Sequence, residues 1–215
     1  MSFTSLRELK NELLWFLRNE DVIPVEIRRV ETITSTSNVE DVDFFEIEDS
    51  QVKNIRHIKL NNELLKFGYQ YTYSTENKLL ILFNQEITGN LEVVYDTGKD
   101  KIFPDFPRGD LNIESYPRIG FDIVNLNTNY LSMGAKDSIS DMLIGIVVYG
   151  QNLRQVEEII SNIRTKVLKN RKSFFYHKLI TVTSVGRTIE GSEKSQVVHK
   201  NIDLSSQFVV EEDES

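Results

Sequence analysis

Residues 138–169 read SISDMLIGIVVYGQNLRQVEEIISNIRTKVLK, and the fold class turns on this stretch. Its first half, Ser138 to Tyr149, is apolar and β-branched enough for a strand, and Gly150 breaks it. Asn152 with Gln155 offers a capped helix start. Val156, Ile159, Ile160, Ile163 and Val167 then recur at three- and four-residue spacing, so an amphipathic helix is expected over residues 153–169. A strand followed at once by a helix with one apolar face predicts a helix laid on a sheet.

Flanking segments extend this to a β-β-α-β-β order. IGFDIV (119–124) precedes it, and LITVTSV (179–185), RTIE (187–190) and SQVVHKNIDLSSQFVV (195–210) follow. Asn125 to Ala135 reads as a long loop, Gly191-Ser192 as a turn, and residues 211–215 as an acidic flexible tail. Near the N-terminus, Ser5 and Glu8 form a capping box. Leu6, Leu9, Leu13, Leu14 and Leu17 give a second amphipathic helix over residues 6–19, with Arg7, Glu8, Lys10, Asn11, Glu12 and Arg18 on its wet face. Pro24 forbids its continuation. VEIRRVETI (25–33) reads as a strand, and Thr34 to Asp43 as a polar loop or linker.

Residues 42–96 are β-rich, with FFEI (44–47), NIRHIKL (54–60), YQYTY (69–73), KLLILF (78–83) and LEVVY (91–95). Asn61-Asn62, Phe67-Gly68, Ser74 to Asn77 and Thr88-Gly89-Asn90 read as the turns between them. Residues 97–118 hold Pro104, Pro107 and Pro117 and read as a hinge. The expected fold is therefore α+β: a mostly antiparallel sheet covered by two helices, built from residues 1–35 and 97–210, with a small all-β module inserted at 36–96.

The 215 residues are 40% hydrophobic and 27% charged, with 12 Phe, 8 Tyr and 1 Trp, enough to build a core. There is no cysteine, which excludes disulfides, thiolate zinc sites and thiol catalysis. Three histidines, His57, His177 and His199, are too scattered to suggest a metal site. Residues 1–110 carry 13 basic and 20 acidic side chains, and residues 111–215 carry 12 and 13. That balance argues against a protein that grips duplex nucleic acid. No apolar run approaches the ~20 residues of a membrane span. The N-terminus lacks the order of a secretion signal, so folding in a reducing cytosol is expected.

No motif of nucleophilic, phosphate-binding or zinc-protease chemistry occurs. Asp41/Asp43 and Glu46/Glu48 are read as a solvated strand face rather than acid–base pairs or a calcium loop. Arg164 to Lys178 holds six cations and no acid. The favoured reading is a helix C-terminus matched to its dipole; contact with nucleic acid or with an acidic partner, such as the acidic half of another copy, comes next. Tyr69, Tyr71 and Tyr73 alternate and are read as core, with a sugar- or peptide-binding platform as the rival.

YPRIGFDIV (116–124) together with residues 138–168 resembles the tail terminators and related head–tail joining proteins of long-tailed bacteriophages. The shared features are the strand at Pro117-Arg118-Ile119, a hydrophobic strand ending in Tyr149-Gly150, and the helix bearing Val156-Glu157-Glu158-Ile159. The likeness spans about residues 1–30 and 100–210. Residues 52–98 resemble a β element of phage structural proteins, through Ile55 to Asn61, Gly68 to Thr72 and Val93 to Gly98. This chain exceeds the usual terminator length by that β segment, which leaves open a different place in the neck.

The resemblance implies a virion protein assembled in the host cytoplasm, with no enzymatic activity, no cofactor and no metal. It implies a homohexameric ring that caps the tail tube protein and meets the head connector, with DNA only as cargo through the lumen. A head-closure or neck adaptor on the portal side is the alternative, and a carbohydrate- or peptide-binding β module is another. On this reading Tyr130 and Met133 of the loop, Ile139 and Met142 on an edge formed by residues 138–149, and Arg164, Lys169, Arg171 and Lys172 are the expected subunit or tube contacts.

Overall fold

The computed structural model describes residues 6–49, 51–74, 79–105, 116–130, 137–190 and 197–211. The architecture is α+β with mostly antiparallel sheets, and the chain divides into two compact units, residues 24–100 and residues 1–23 with 101–215. The division falls at residues 24 and 100 rather than 35 and 97. Residues 24–35 belong with the β unit because Val30 to Ser37 pair in continuous register with Gly98 to Leu91.

The larger unit opens with helix α1 (Leu6–Asn19). Its sheet contains β6 (Ile102–Phe103), β7 (Arg118–Tyr130), β8 (Asp137–Gly150), β9 (Lys178–Val185), β10 (Ile189–Glu190) and β11 (Val198–Glu211). The order is β10-β11-β8-β7-β6, with β9 also on β11, and only β6 and β7 run parallel. Helix α3 (Leu153–Asn170) follows β8 and packs on β8, β9 and β11. Asn152 caps it, its side chain accepting from the Gln155 amide at 2.9 Å, as the sequence suggests. Gly150 is required at the strand–helix corner: a Cβ there would stand 2.6 Å from Val156 Cγ2.

Every second residue of β8 from Ser138 to Gly150 is buried, and β11 buries Ile202, Leu204, Ser206 and Phe208. The buried stripe of α3 is Val156, Ile159, Ile160, Ile163 and Val167. Leu9 and Leu13 of α1 meet Phe121, Ile123, Met142 and Ile144 around a narrow apolar gap. The rings of Phe16 and Phe174 meet at a tilt of 45°, 4.5 Å between centroids.

The smaller unit departs further from expectation. Residues 25–28 form helix α2 (Val25–Arg28) instead of a strand, ended by Arg29 in the left-handed region at φ 59°. Strand β1 (Val30–Ile47) then occupies the segment expected to be a linker. It pairs along its length with β5 (Leu79–Gly98). KLLILF and LEVVY are therefore parts of one strand, and Thr88-Gly89-Asn90 lies inside it, Gly89 opposite Val39. The far side of β5 carries β2 (Val52–Leu60) and β4 (Tyr71–Ser74), and β3 (Glu63–Leu64) folds back on β2. The Asn61-Asn62 turn stands as expected, both residues at positive φ.

A buried ion cluster joins the two ends of this unit. Arg28, 0% exposed, donates to both oxygens of Asp100 at 3.0 and 3.1 Å. Its Nη2 also lies 3.6 Å from buried Asp96, which Arg56 grips through Nε and Nη2 at 3.0 and 2.9 Å. Thr32 Oγ1 donates to Asp96 at 2.8 Å. Removing one partner leaves a buried charge uncompensated. Arg28→Met is expected to cost ~3–5 kcal/mol in urea unfolding; a loss below ~1 kcal/mol would show that the Arg28–Asp100 pair does not hold this unit closed.

Candidate functional site

Two surface features and one buried cluster carry the polar and apolar side chains that the fold leaves unspent. The first is the end of α3. Arg164 and Leu168 stand at i and i+4 on the helix, and Arg171 and Lys172 follow its last residue. Arg164, Lys169, Arg171 and Lys172 are all exposed, and none has an ion-pair partner among the described residues. Lys166, by contrast, meets Glu20 at 3.2 Å. Leu168 is 38% exposed in the middle of these cations.

The second feature is the β7–β8 ribbon. The loop expected from Asn125 is strand as far as Tyr130, which pairs with Ser138, and the register slips once between Ile123 and Asn125. β6 covers β7 at Ile119 and Gly120, so among the described residues β7 beyond Gly120 is paired by β8 alone. Here Val124 is 60% and Leu126 39% exposed. The expectation of an edge at residues 138–149 is overturned, because β8 is paired on both sides by β7 and β11. Met142 is accordingly buried, 2% exposed against α1, and is no contact residue of the folded protomer. Ile139 is half-buried opposite Asn129. The ring of Tyr130 and the whole of Met133 lie outside the described residues.

The tyrosine stripe is not a platform of three rings. Tyr71 is buried, Tyr73 stacks on Phe67 at 4.7 Å, and Tyr69 lies outside the strand with its ring exposed. Asp41 serves a bulge, exchanging hydrogen bonds with Thr88. Half-exposed His57 stands 3.6 Å from Glu92. Among the described residues no group of three or more His, Asp and Glu side chains gathers as a metal site.

The buried cluster was illegible in the sequence. Glu12 sits at 7% exposure, although its helical position reads as wet. One carboxylate oxygen accepts from the Phe175 amide, the other from the Tyr176 and His177 amides at 2.9 and 3.0 Å. His177 Nε2 bonds the Leu9 carbonyl at 2.8 Å, so that nitrogen carries the proton, and Nδ1 accepts from Ser206 Oγ at 3.0 Å. Arg18, also read as wet, is buried and donates to the Ile102 carbonyl at 2.9 Å. The partners of Glu12 and Arg18 lie more than 80 residues away in sequence, so no local spacing announces them. This arrangement binds two segments together.

Burial pushes the Glu12 carboxyl up, against the pull of its three amides and of Lys178. Burial holds the His177 imidazole down, to about 4 from 6.5. The unfolded chain takes up a proton on this histidine near its ordinary value, and the folded chain does not. The stability this gives is complete above that value and is lost as pH falls towards about 4, ~3 kcal/mol in all. Glu12 acts oppositely, holding its proton more readily in the folded chain, so its contribution fades as pH rises. Stability to urea measured from pH 7 to 4 is expected to fall less steeply in His177→Gln than in the wild type; parallel curves would remove this histidine from the account.

Compared with known proteins, the chain matches no protein-family model and no curated protein significantly.

Proposed function

We infer that the protein is a virion structural subunit of the tail terminator type. Copies close into a hexameric ring that caps the tail tube and joins it to the head connector, and the ring assembles in the host cytoplasm. It works by shape and makes or breaks no bond; DNA passes its lumen as cargo. A two-helix layer, α1 and α3 on one antiparallel sheet, with the β unit of residues 24–100 as an insertion, is the terminator-like organisation this reading assumes.

The observation that carries the reading is the β7–β8 ribbon. Beyond Gly120 its outer strand has, among the described residues, a partner on one side only, and it bears exposed Val124 and Leu126. A strand edge with free amides and carbonyls beside apolar side chains is a template for another chain. Proteins that remain alone blunt such edges with charge, and the segment from Ile123 to Tyr130 contains no charged residue. In a ring each edge is covered by the next copy or by the tube, because a heterologous contact repeats until it closes. The opposite reading, a β module that presents a tyrosine platform, is disfavoured by the burial of Tyr71.

Negative-stain images of the purified protein mixed with tail tubes test this. A six-fold ring at one tube end is expected. A Val124→Asp/Leu126→Asp variant with unchanged circular dichroism is expected to lose the ring. A wild type that neither caps tubes nor leaves the monomer at high concentration would overturn the proposal, and capture by the portal instead of the tube would move the protein to the neck-adaptor position.

A further inference from the structure

Both units are acidic on balance, but each carries an exposed patch of one sign, acidic on the smaller unit and basic on the larger, and each patch surrounds exposed apolar side chains. Residues 24–100 carry 14 acidic and 8 basic side chains. Six of the acids fall at Glu40, Asp41, Asp43, Glu46, Glu48 and Asp49, with no base among residues 40–49. All but Glu48 and Asp49 lie on the second half of β1, an edge strand paired by β5 alone. Glu40, Asp43 and Glu48 are exposed and have no ion-pair partner among the described residues. Amid them stand Phe44, 53% exposed, and its cross-strand neighbour Leu82, 39% exposed.

The end of α3 is the counterpart. Residues 164–172 hold five cations and no acid, and exposed Leu168 stands one turn from Arg164 on α3, with exposed Arg171 and Lys172 just past the helix end. An apolar centre inside a charged rim is how protein interfaces are organised, and the two rims have complementary sign.

We propose that the outward face of α3, centred on Leu168, docks on the acidic half of β1, centred on Phe44 and Leu82, of a second copy of this chain. The contact rests on the ring reading above and assigns it two surfaces. They differ from one another, so each copy offers one of each and the association runs head to tail. The rim charges steer the encounter and fix the register; Leu168, Phe44 and Leu82 supply the area removed from water.

Charge exchange tests this on the full chain. Light scattering at tens of micromolar and low salt is expected to show association of the wild type, weakened in ~1 M salt, where the Debye length is ~3 Å. R164E/K172E alone and E40K/D43K alone are each expected to associate ~tenfold or more weakly, because each sets like charges face to face. An equimolar mixture of the two is expected to recover wild-type association, since alternating copies restore every contact. The recovery also shows that both variants are folded. A wild type that assembles while both variants assemble equally well overturns this contact and leaves the ring reading standing. A mixture that fails to recover also overturns it. A wild type that stays monomeric under these conditions overturns it, and if that wild type also caps no tube, the ring reading falls with it. A R164E/K172E variant that loses duplex DNA binding but associates normally overturns it in favour of a nucleic-acid surface.

Discussion

Backbone amides removed from water must find acceptors, and in the larger unit that requirement falls on one side chain. The chain leaving α3 returns to the sheet through residues 171–177, where Phe174 and His177 are buried. A connection taken inside carries amide groups that no ladder satisfies. Glu12, on a helix more than 160 residues earlier, supplies the acceptors for three of them in a row. His177 returns the bond to the carbonyl of Leu9, one turn back on the same helix. The two segments are laced in both directions, which fixes where α1 lies over β7 and β8. With α1 so placed, Arg18 at its far end reaches the Ile102 carbonyl and Lys10 reaches Asp122.

The smaller unit solves its own closure with charge. Its first and last residues belong to the same corner, where Arg28, Arg56, Asp96 and Asp100 are arranged so that each buried cation faces a carboxylate. Such a cluster adds less net stability than apolar packing of equal volume would, because four charges leave water. What it adds is register. Asp96 of β5 is held at once from β1 by Thr32 and from β2 by Arg56, so a slip of either strand would strand a buried carboxylate.

The parts of the fold legible in the sequence are those whose burial follows a period. α1 and α3 each show an apolar stripe at helical spacing, and β9, β10 and β11 follow in the order their patterns suggest. The misread parts have a physical reason in common. From Thr32 to Asn38, β1 is an edge strand with Thr, Ser and Asn facing water, so alternation in hydrophobicity is faint although the β-branched threonines fit a strand. β5 looked like two strands because Gly89 and Asn90 imitate a turn; the Asn61 side chain, accepting from the Asn90 amide, occupies the space beside Gly89 and keeps the strand running. At the candidate surfaces, the exposure of Arg164 and Lys169 follows from helical phase, and that of Arg171 and Lys172 from their place past the helix end. The burial of Met142 does not, since it depends on α1 covering that face of β8, and packing of a distant helix leaves no local trace.

The second half of β1 shows how one strand can refuse some partners and admit another. Bulges interrupt its register between Val39 and Val42 and again between Val42 and Phe44, and acids crowd the same stretch. Both devices prevent two sheet edges from joining. Two copies of β1 laid edge to edge would bring like carboxylates together, so a two-fold pairing through this strand is penalised. A cationic helix face meets no such penalty and needs no ladder of hydrogen bonds, because it approaches through side chains. The charge that forbids the self-paired contact is thus the charge that favours a contact between unlike surfaces. At this strand edge a self-complementary pairing is therefore penalised, whereas the proposed head-to-tail contact is not.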